Sequence, residues 1–415
     1  MGSPPTADAL AARFDPEGAD GGAPPLVAGV MSGTSGDGID VVLCVPAFRM
    51  ERGRRRLASL APRAFRTLPF EPGLAVRVRA VLDGAPVTLG ETAALHRDLG
   101  LAFGRAARAV ADEAGAGPLA LVASHGQTVF HHDGVPELRG VTLQLGDGDA
   151  VAEAAGCAAA TDFRTRDCAA GGEGAPLVAL VDDVLFSAAP RPLAVLNLGG
   201  IANWTVLVHS AAPLAFDTGP AAALLDGLAR ARLGADYDED GRAAAAGSPD
   251  PAAVAVALDH PFFGRPAPKS TGRDTFGPAY VEAVGAAVAH LAPPDALATA
   301  VHAVARHAAD GLAAARAGMP RAADPLHVAV AGGGARNAAL MGALEAALRA
   351  SPPIASFATS AAHGVDPDAR EALAFAALGA RLLVGEPSTV PTATGAAPGR
   401  VLGKWSCAAE SGPAA

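Results

Sequence analysis

Val30-Met31-Ser32-Gly33-Thr34-Ser35-Gly36-Asp37-Gly38-Ile39-Asp40 lies between two apolar runs of strand length, 26–31 and 39–45. The loop combines glycine backbone that a ligand can approach closely, hydroxyl donors and two carboxylates. That is the chemistry of a phosphate and Mg²⁺ site. It is not a P-loop, because no Gly-Lys-Ser/Thr follows and the next element reads as a strand. A long β-hairpin turn uses the same residues, Asp-Gly above all. The loop alone leaves both readings open.

Further along, the chain repeats this move. Residues 193–198 form an apolar run, Gly199-Gly200-Ile201-Ala202-Asn203 a tight polar turn, and 204–208 a second run. Helical patterns are expected at 86–117, 149–155, 176–188, 221–233 and 337–350, and strands at 119–123, 141–145 and 327–331. Strands mixed with helices imply α/β layers. Two halves that each open on a phosphate-type hairpin suggest a duplicated domain around a cleft. The expected division is a disordered tail over 1–24, an N-terminal α/β domain over 25–192, a C-terminal α/β domain over 193–405, and a frayed tail over 406–415.

Composition bounds the function. A chain of 415 residues with 50% hydrophobic content can bury a large core. No apolar run is long enough to span a bilayer, and no secretory signal opens the chain. The net charge of -10, from 32 basic and 42 acidic residues, argues against a general nucleic-acid binder. It does not argue against phosphate ligands, which local donors and a metal can hold. Cys44, Cys157, Cys168 and Cys407 form no CxxC, so a disulfide scaffold or zinc site is not expected, and reduced thiols suit a cytoplasmic protein.

Several segments carry candidate chemistry. Asn197, Gly199 and Gly200 are a second phosphate contact or an ordinary hairpin. Asp217, in Phe216-Asp217-Thr218-Gly219-Pro220, either caps the following helix or acts as a general base. Gly332-Gly333-Gly334 is a strand-to-helix turn on which a purine or ribose can lie, or glycine kept for packing. Lys269, in Pro268-Lys269-Ser270-Thr271-Gly272-Arg273, either helps hold nucleotide or brace a closed cleft, or sits in a solvated loop. His125, in Ser124-His125-Gly126-Gln127-Thr128, stands at a strand end among sugar-type hydrogen-bonding groups. Arg164 and Arg166, in Asp162-Phe163-Arg164-Thr165-Arg166-Asp167, either pair surface charges or grip a carboxylate or sugar oxygens. Asp182 and Asp183 diverge on a helix and make a poor catalytic pair.

In this order, and with Gln144-Leu145-Gly146, Gly174-Ala175-Pro176-Leu177, Glu371-Ala372 and Thr394-Gly395-Ala396, these motifs resemble the anhydro-N-acetylmuramic acid kinases over residues 26–402. The resemblance implies the two-domain sugar kinase, actin and Hsp70-like fold, with duplicated ribonuclease H-like domains and ATP in the cleft between them. It implies hydrolytic opening of 1,6-anhydro-N-acetylmuramic acid with phosphorylation of O6. Asp217 is then the base that activates water. Gly33, Thr34, Ser35, Gly36, Asp37, Gly38, Ile39 and Asp40 hold phosphates and Mg²⁺, with Asp37 and Asp40 at the metal. Gly332, Gly333 and Gly334 face the adenosine, and His125, Arg164 or Arg166, and Glu371 contact the sugar. A homodimer is suggested, with a small anhydro amino sugar as the other partner. The chain departs from the family at Ala222, where Asn is usual, and at Glu173, where Gln is frequent. A related branch of the same fold phosphorylates levoglucosan.

Overall fold

In a computed structural model, the described residues are 7–14, 23–33, 36, 38–131, 140–209, 212–272, 275–319, 324–350 and 353–408. They form two α/β units. The first holds strands β1 (Leu26–Ser32), β2 (Gly38–Glu51), β3 (Arg54–Pro69), β4 (Leu119–His131), β5 (Thr142–Leu145) and β6 (Ala158–Thr161). The second holds β7 (Leu193–Leu198), β8 (Ile201–Leu207), β9 (Leu214–Pro220), β10 (Leu326–Ala331) and β11 (Ile354–Thr359). The last strand, β12 (Lys404–Ser406), returns to the first sheet and pairs with β6.

The two sheets share one topology. The first runs β3-β2-β1-β4-β6, with β12 at its edge and β5 paired to β4; the second runs β9-β8-β7-β10-β11. In each, three antiparallel strands are followed by two strands parallel to the first. The duplication expected from the two Gly-rich hairpins is therefore a duplication of the whole sheet. β1 and β7 lie central, and every residue of both is buried. Strands covered on both faces read as continuous apolar runs, which is why these two were legible.

On one face of the first sheet, Leu26, Ala28 and Val30 pack with Leu95, Leu99, Phe103 and Val110 of helix Leu89–Ala114. On the other lies helix Arg370–Leu383. Its backbone comes so close that a Cβ added at Gly29 would sit 1.9 Å from the Ala372 carbonyl oxygen, and one at Gly379 would sit 2.5 Å from Ala123. Gly29→Ala is expected to cost about 1–3 kcal/mol or more, because the obstruction is backbone and cannot swing away. Urea denaturation would read this as a lowered midpoint. In the second unit, fully buried Trp204 anchors the core and donates from Nε1 to the Ala308 carbonyl at 2.9 Å.

The chain does not split once near residue 192. Residues 7–131 and 140–187 group with those from Ala369 onward, while Ala188–Asp368 forms the second unit. The expected C-terminal domain, 193–405, therefore overruns its unit, because helix Arg370–Leu383 completes the first sheet's second face. The tails also differ from expectation. Ala7–Ala12 forms a short helix with Leu10 and Ala11 buried, and Ser406 belongs to β12. Among the described residues, no helix is long and apolar enough to cross a membrane.

Candidate active site

In the second unit, register brings the candidate groups together. Asn197 pairs with Asn203 across β7 and β8, and Asn203 pairs with Asp217 across β8 and β9. Residues opposite one another in antiparallel strands share a face. Asn197, Asn203 and Asp217 therefore form one polar row at the strand ends. On the other side of β7, Asn197 is level with Ala331 of β10, where the glycine turn begins. Asn203 has no assigned role from sequence alone, because its place in the row depends on register. Its Oδ1 is buried with no hydrogen-bond partner among the described residues.

Asp217 is 7% exposed. Its backbone N–H donates to the Lys269 carbonyl at 2.9 Å. Its Oδ2 accepts from the Thr271 amide at 2.8 Å and lies 3.2 Å from the Ser270 hydroxyl that donates to it. The carboxylate is thus oriented by the 268–272 segment and does not cap the helix that follows. Lys269, expected at the nucleotide, is engaged elsewhere. Its ammonium donates to the Phe262 and Phe263 carbonyls at 3.0 and 3.1 Å and lies 4.5 Å from the Phe262 ring centroid. It holds the segment that holds Asp217. Arg273 lies outside the described residues.

The Gly199-Gly200 turn caps a helix. The Gly200 carbonyl accepts from Ala221 and Ala223, and the Gly199 carbonyl from Ala222, at 2.9, 3.2 and 3.0 Å. These bonds satisfy orphan amides of helix Ala222–Leu233. Anion binding here would fall to the turn's own amides rather than to that helix end. Gly332 stands at φ +83°, and a Cβ there would sit 2.8 Å from the Leu198 carbonyl oxygen. A Cβ at Gly334 would sit 2.7 Å from Leu198 Cβ, whereas Gly333 faces open space. The glycine turn therefore packs directly on the second loop and presents side-chain-free backbone at Gly333.

In the first unit, the opening loop is a hairpin, with Met31 paired to Asp40. Its foot is tied by Ser32 Oγ, 2.7 Å from Gln127 Oε1 and 3.0 Å from the Gly38 carbonyl, and by Gln127 Nε2 donating to the Gly33 carbonyl at 3.1 Å. Gly36 takes φ +64°, and a Cβ there would meet Leu82 at 2.5 Å. Gly38 and Ile39 are buried, while Asp40 is half-buried and accepts from Thr67 Oγ1 at 2.6 Å. Thr34, Ser35 and Asp37 lie outside the described residues.

The same unit joins two of the four expected sugar contacts and carries a third, Glu371, on the helix that packs against them. Arg164 Nε donates to His125 Nε2 at 2.9 Å, and Arg164 Nη1 to the Gly174 carbonyl at 2.8 Å. His125 Nδ1 lies 2.9 Å from the Gly126 carbonyl, so the ring is neutral with its proton on Nδ1. Its face packs on Phe375 at 4.5 Å between centroids. Glu371 stands one turn before Phe375 and so projects on the same side of its helix. Arg166 is exposed and is not drawn into this cluster. Buried Asp167 supports it, accepting from the Gly174 amide at 2.9 Å and from Thr394 Oγ1 at 2.8 Å.

Burial, then the Arg164 charge, holds the His125 pKa well below the usual 6.5. Burial, with Lys269 adding to it, pushes His307 down to about 4. Both rings bind a proton more readily unfolded than folded. Their contribution to stability is present above about pH 6.5 and is lost as pH falls below it. Imidazole NMR is expected to find no titration of either ring between pH 8 and pH 6, with His307 titrating near 4.

A family model described as anhydro-N-acetylmuramic acid kinase matches residues 25–407. The chain belongs to the anhydro-N-acetylmuramic acid kinase family. The relative of that name from Streptomyces coelicolor is 42% identical over 379 residues, covering 91% of this chain and 92% of its own. The one from Gloeobacter violaceus is 41% identical over 379 residues, covering 90% and 96%. Among solved structures, a ROK family glucokinase from Streptomyces griseus in complex with glucose and AMPPNP aligns at 17% identity and a TM-score of 0.36, over 85% of this chain and 98% of that one.

Proposed function

We propose that this kinase opens the 1,6-anhydro ring of 1,6-anhydro-N-acetylmuramic acid with water and phosphorylates O6, giving N-acetylmuramic acid 6-phosphate and ADP in cytoplasmic recycling of cell-wall sugars. The observation that carries this reading is the setting of Asp217, a nearly buried carboxylate oriented by the Thr271 amide and Ser270 hydroxyl in a chain of this family.

Asp217 takes a proton from water as the water oxygen bonds to C1. The bond from C1 to the bridging oxygen breaks, and that oxygen, now O6, accepts the γ-phosphoryl group of the substrate ATP. Arg164, aimed by His125 and Gly174, faces the lactyl carboxylate, for which a forked guanidinium is suited. Glu371 accepts from sugar hydroxyls or the amide. Backbone at Gly333, with Asn197 and Gly199 beside it, meets the nucleotide; Gly332 and Gly334 fit this role because a side chain at either would displace the turn. Asp40, half-buried at the foot of the first loop, suits a hydrated Mg²⁺, which would neutralise phosphate charge when bound.

A coupled ADP-release assay with 1,6-anhydro-N-acetylmuramic acid and with levoglucosan tests the assignment. ADP release is expected with the first sugar. Release with levoglucosan alone would move the chain to the plain anhydro-sugar branch, and release with neither would refute the kinase assignment on both substrates.

A further inference from the structure

Asp182 and Arg370 form a bidentate ion pair in the first unit, each side chain 1% exposed. Arg370 Nε donates to Asp182 Oδ1 at 2.9 Å, and Nη2 donates to Oδ2. Arg370 Nη1 is buried with no hydrogen-bond partner among the described residues. The arrangement is unfavourable in three ways. A guanidinium occupies the first turn of helix Arg370–Leu383, where the helix dipole favours anions. The N-cap residue Ala369 offers no side-chain cap. One donor is unmet. Ion pairs this deeply buried add little net stability over apolar residues of similar volume, so stability does not account for the pair.

Its position does. Asp182 lies on helix Ala179–Leu185, just before the chain leaves the first unit after Ser187. Arg370 follows Ala369, where the chain re-enters. The pair thus ties the outgoing and returning segments together inside one unit. The next residue is Glu371, and one turn further Phe375 lies against His125. We propose that the Asp182–Arg370 pair is a positioning clamp that fixes the start of this helix and so presents Glu371 to the sugar in one orientation. The proposal rests on the reading of Glu371 as a sugar contact.

The test uses the full chain with Asp182→Leu and Arg370→Met together, which removes both charges and leaves neither buried alone. Two readouts are taken. In hydrogen exchange, the amides of Leu373 to Phe375 are expected to exchange about tenfold faster, with the rest of the helix unchanged. In kinetics, KM for 1,6-anhydro-N-acetylmuramic acid is expected to rise about tenfold, with KM for ATP unchanged and kcat within about threefold. Unchanged exchange overturns the clamp, and so does faster exchange with an unchanged sugar KM. A wild-type chain that does not turn over this sugar counts against the proposed function; the exchange arm then decides the clamp alone, faster exchange supporting it and unchanged exchange refuting it.

Discussion

Asp217→Asn is expected to lower kcat by about 10²–10⁴-fold, the range of a positioned general base, while nucleotide binding stays near that of the unaltered chain. The substitution is nearly isosteric. The asparagine carbonyl can still accept from the Thr271 amide that now holds Oδ2 at 2.8 Å, so the 268–272 segment keeps its course. What is lost is the capacity to take a proton from water. Lys269 remains on the Phe262 and Phe263 carbonyls, and the Gly332–Gly334 turn after β10, separated from β9 by β7 and β8, keeps its packing on Leu198. Calorimetric titration with a non-hydrolysable ATP analogue, run beside the ADP-release assay, separates the two effects. Near-normal turnover would remove Asp217 from the role of base. Loss of turnover together with loss of nucleotide binding would point to collapse of the strand-end row.

Arg164→Ala is expected to raise KM for 1,6-anhydro-N-acetylmuramic acid by about 10–100-fold, the equivalent of about 1.5–3 kcal/mol for a hydrogen bond to a charged group. Arg164 already spans His125 Nε2 and the Gly174 carbonyl, so its plane is set before any ligand arrives. Arg164→Lys should recover little, because one ammonium cannot meet both partners with the same geometry. Levoglucosan has no lactyl carboxylate and serves as the internal control. If the guanidinium reads that carboxylate, any turnover of levoglucosan should be insensitive to Arg164→Ala. An equal rise in KM for both sugars would instead show that Arg164 maintains the fold around His125.

What could be read from sequence follows from how each feature is encoded. The runs at β1 and β7 are continuous because both faces of each strand are buried, and the two Gly-rich hairpins marked the duplication. The β2–β3 extension was missed. Its strands carry Arg49, Arg54, Arg55 and Arg56, none of them buried, which breaks the apolar pattern that signals a strand. Helix Pro293–Ala317 is so rich in alanine that few large residues mark its period. The return of the chain at Ala369 leaves no local mark, since it depends on a glycine at 29 admitting a distant helix backbone.

The candidate site divided in the same way. The place of Asp217 before a helix suggests a cap, which the structure does not show, because the groups that orient its carboxylate lie more than fifty residues on, at Ser270 and Thr271. Asn203 could join the row only through register. Lys269 reads as a nucleotide contact or a brace of the cleft because sequence gives a charge and not its partners. Arg164 and Arg166 looked equivalent until helix Phe163–Ala169 turned one toward His125 and left the other exposed.

In the proposed mechanism, water attacks C1 while O6 receives the phosphoryl group. Turnover of 1,6-anhydro-N-acetylmuramic acid with ATP and Mg²⁺ in H₂¹⁸O, quenched before the free hemiacetal exchanges with solvent and read by mass spectrometry, tests it directly. The predicted product is the 6-phosphate carrying one ¹⁸O on C1 and none in the phosphate. A 6-phosphate without label on C1, or label found in the phosphate, would contradict the mechanism.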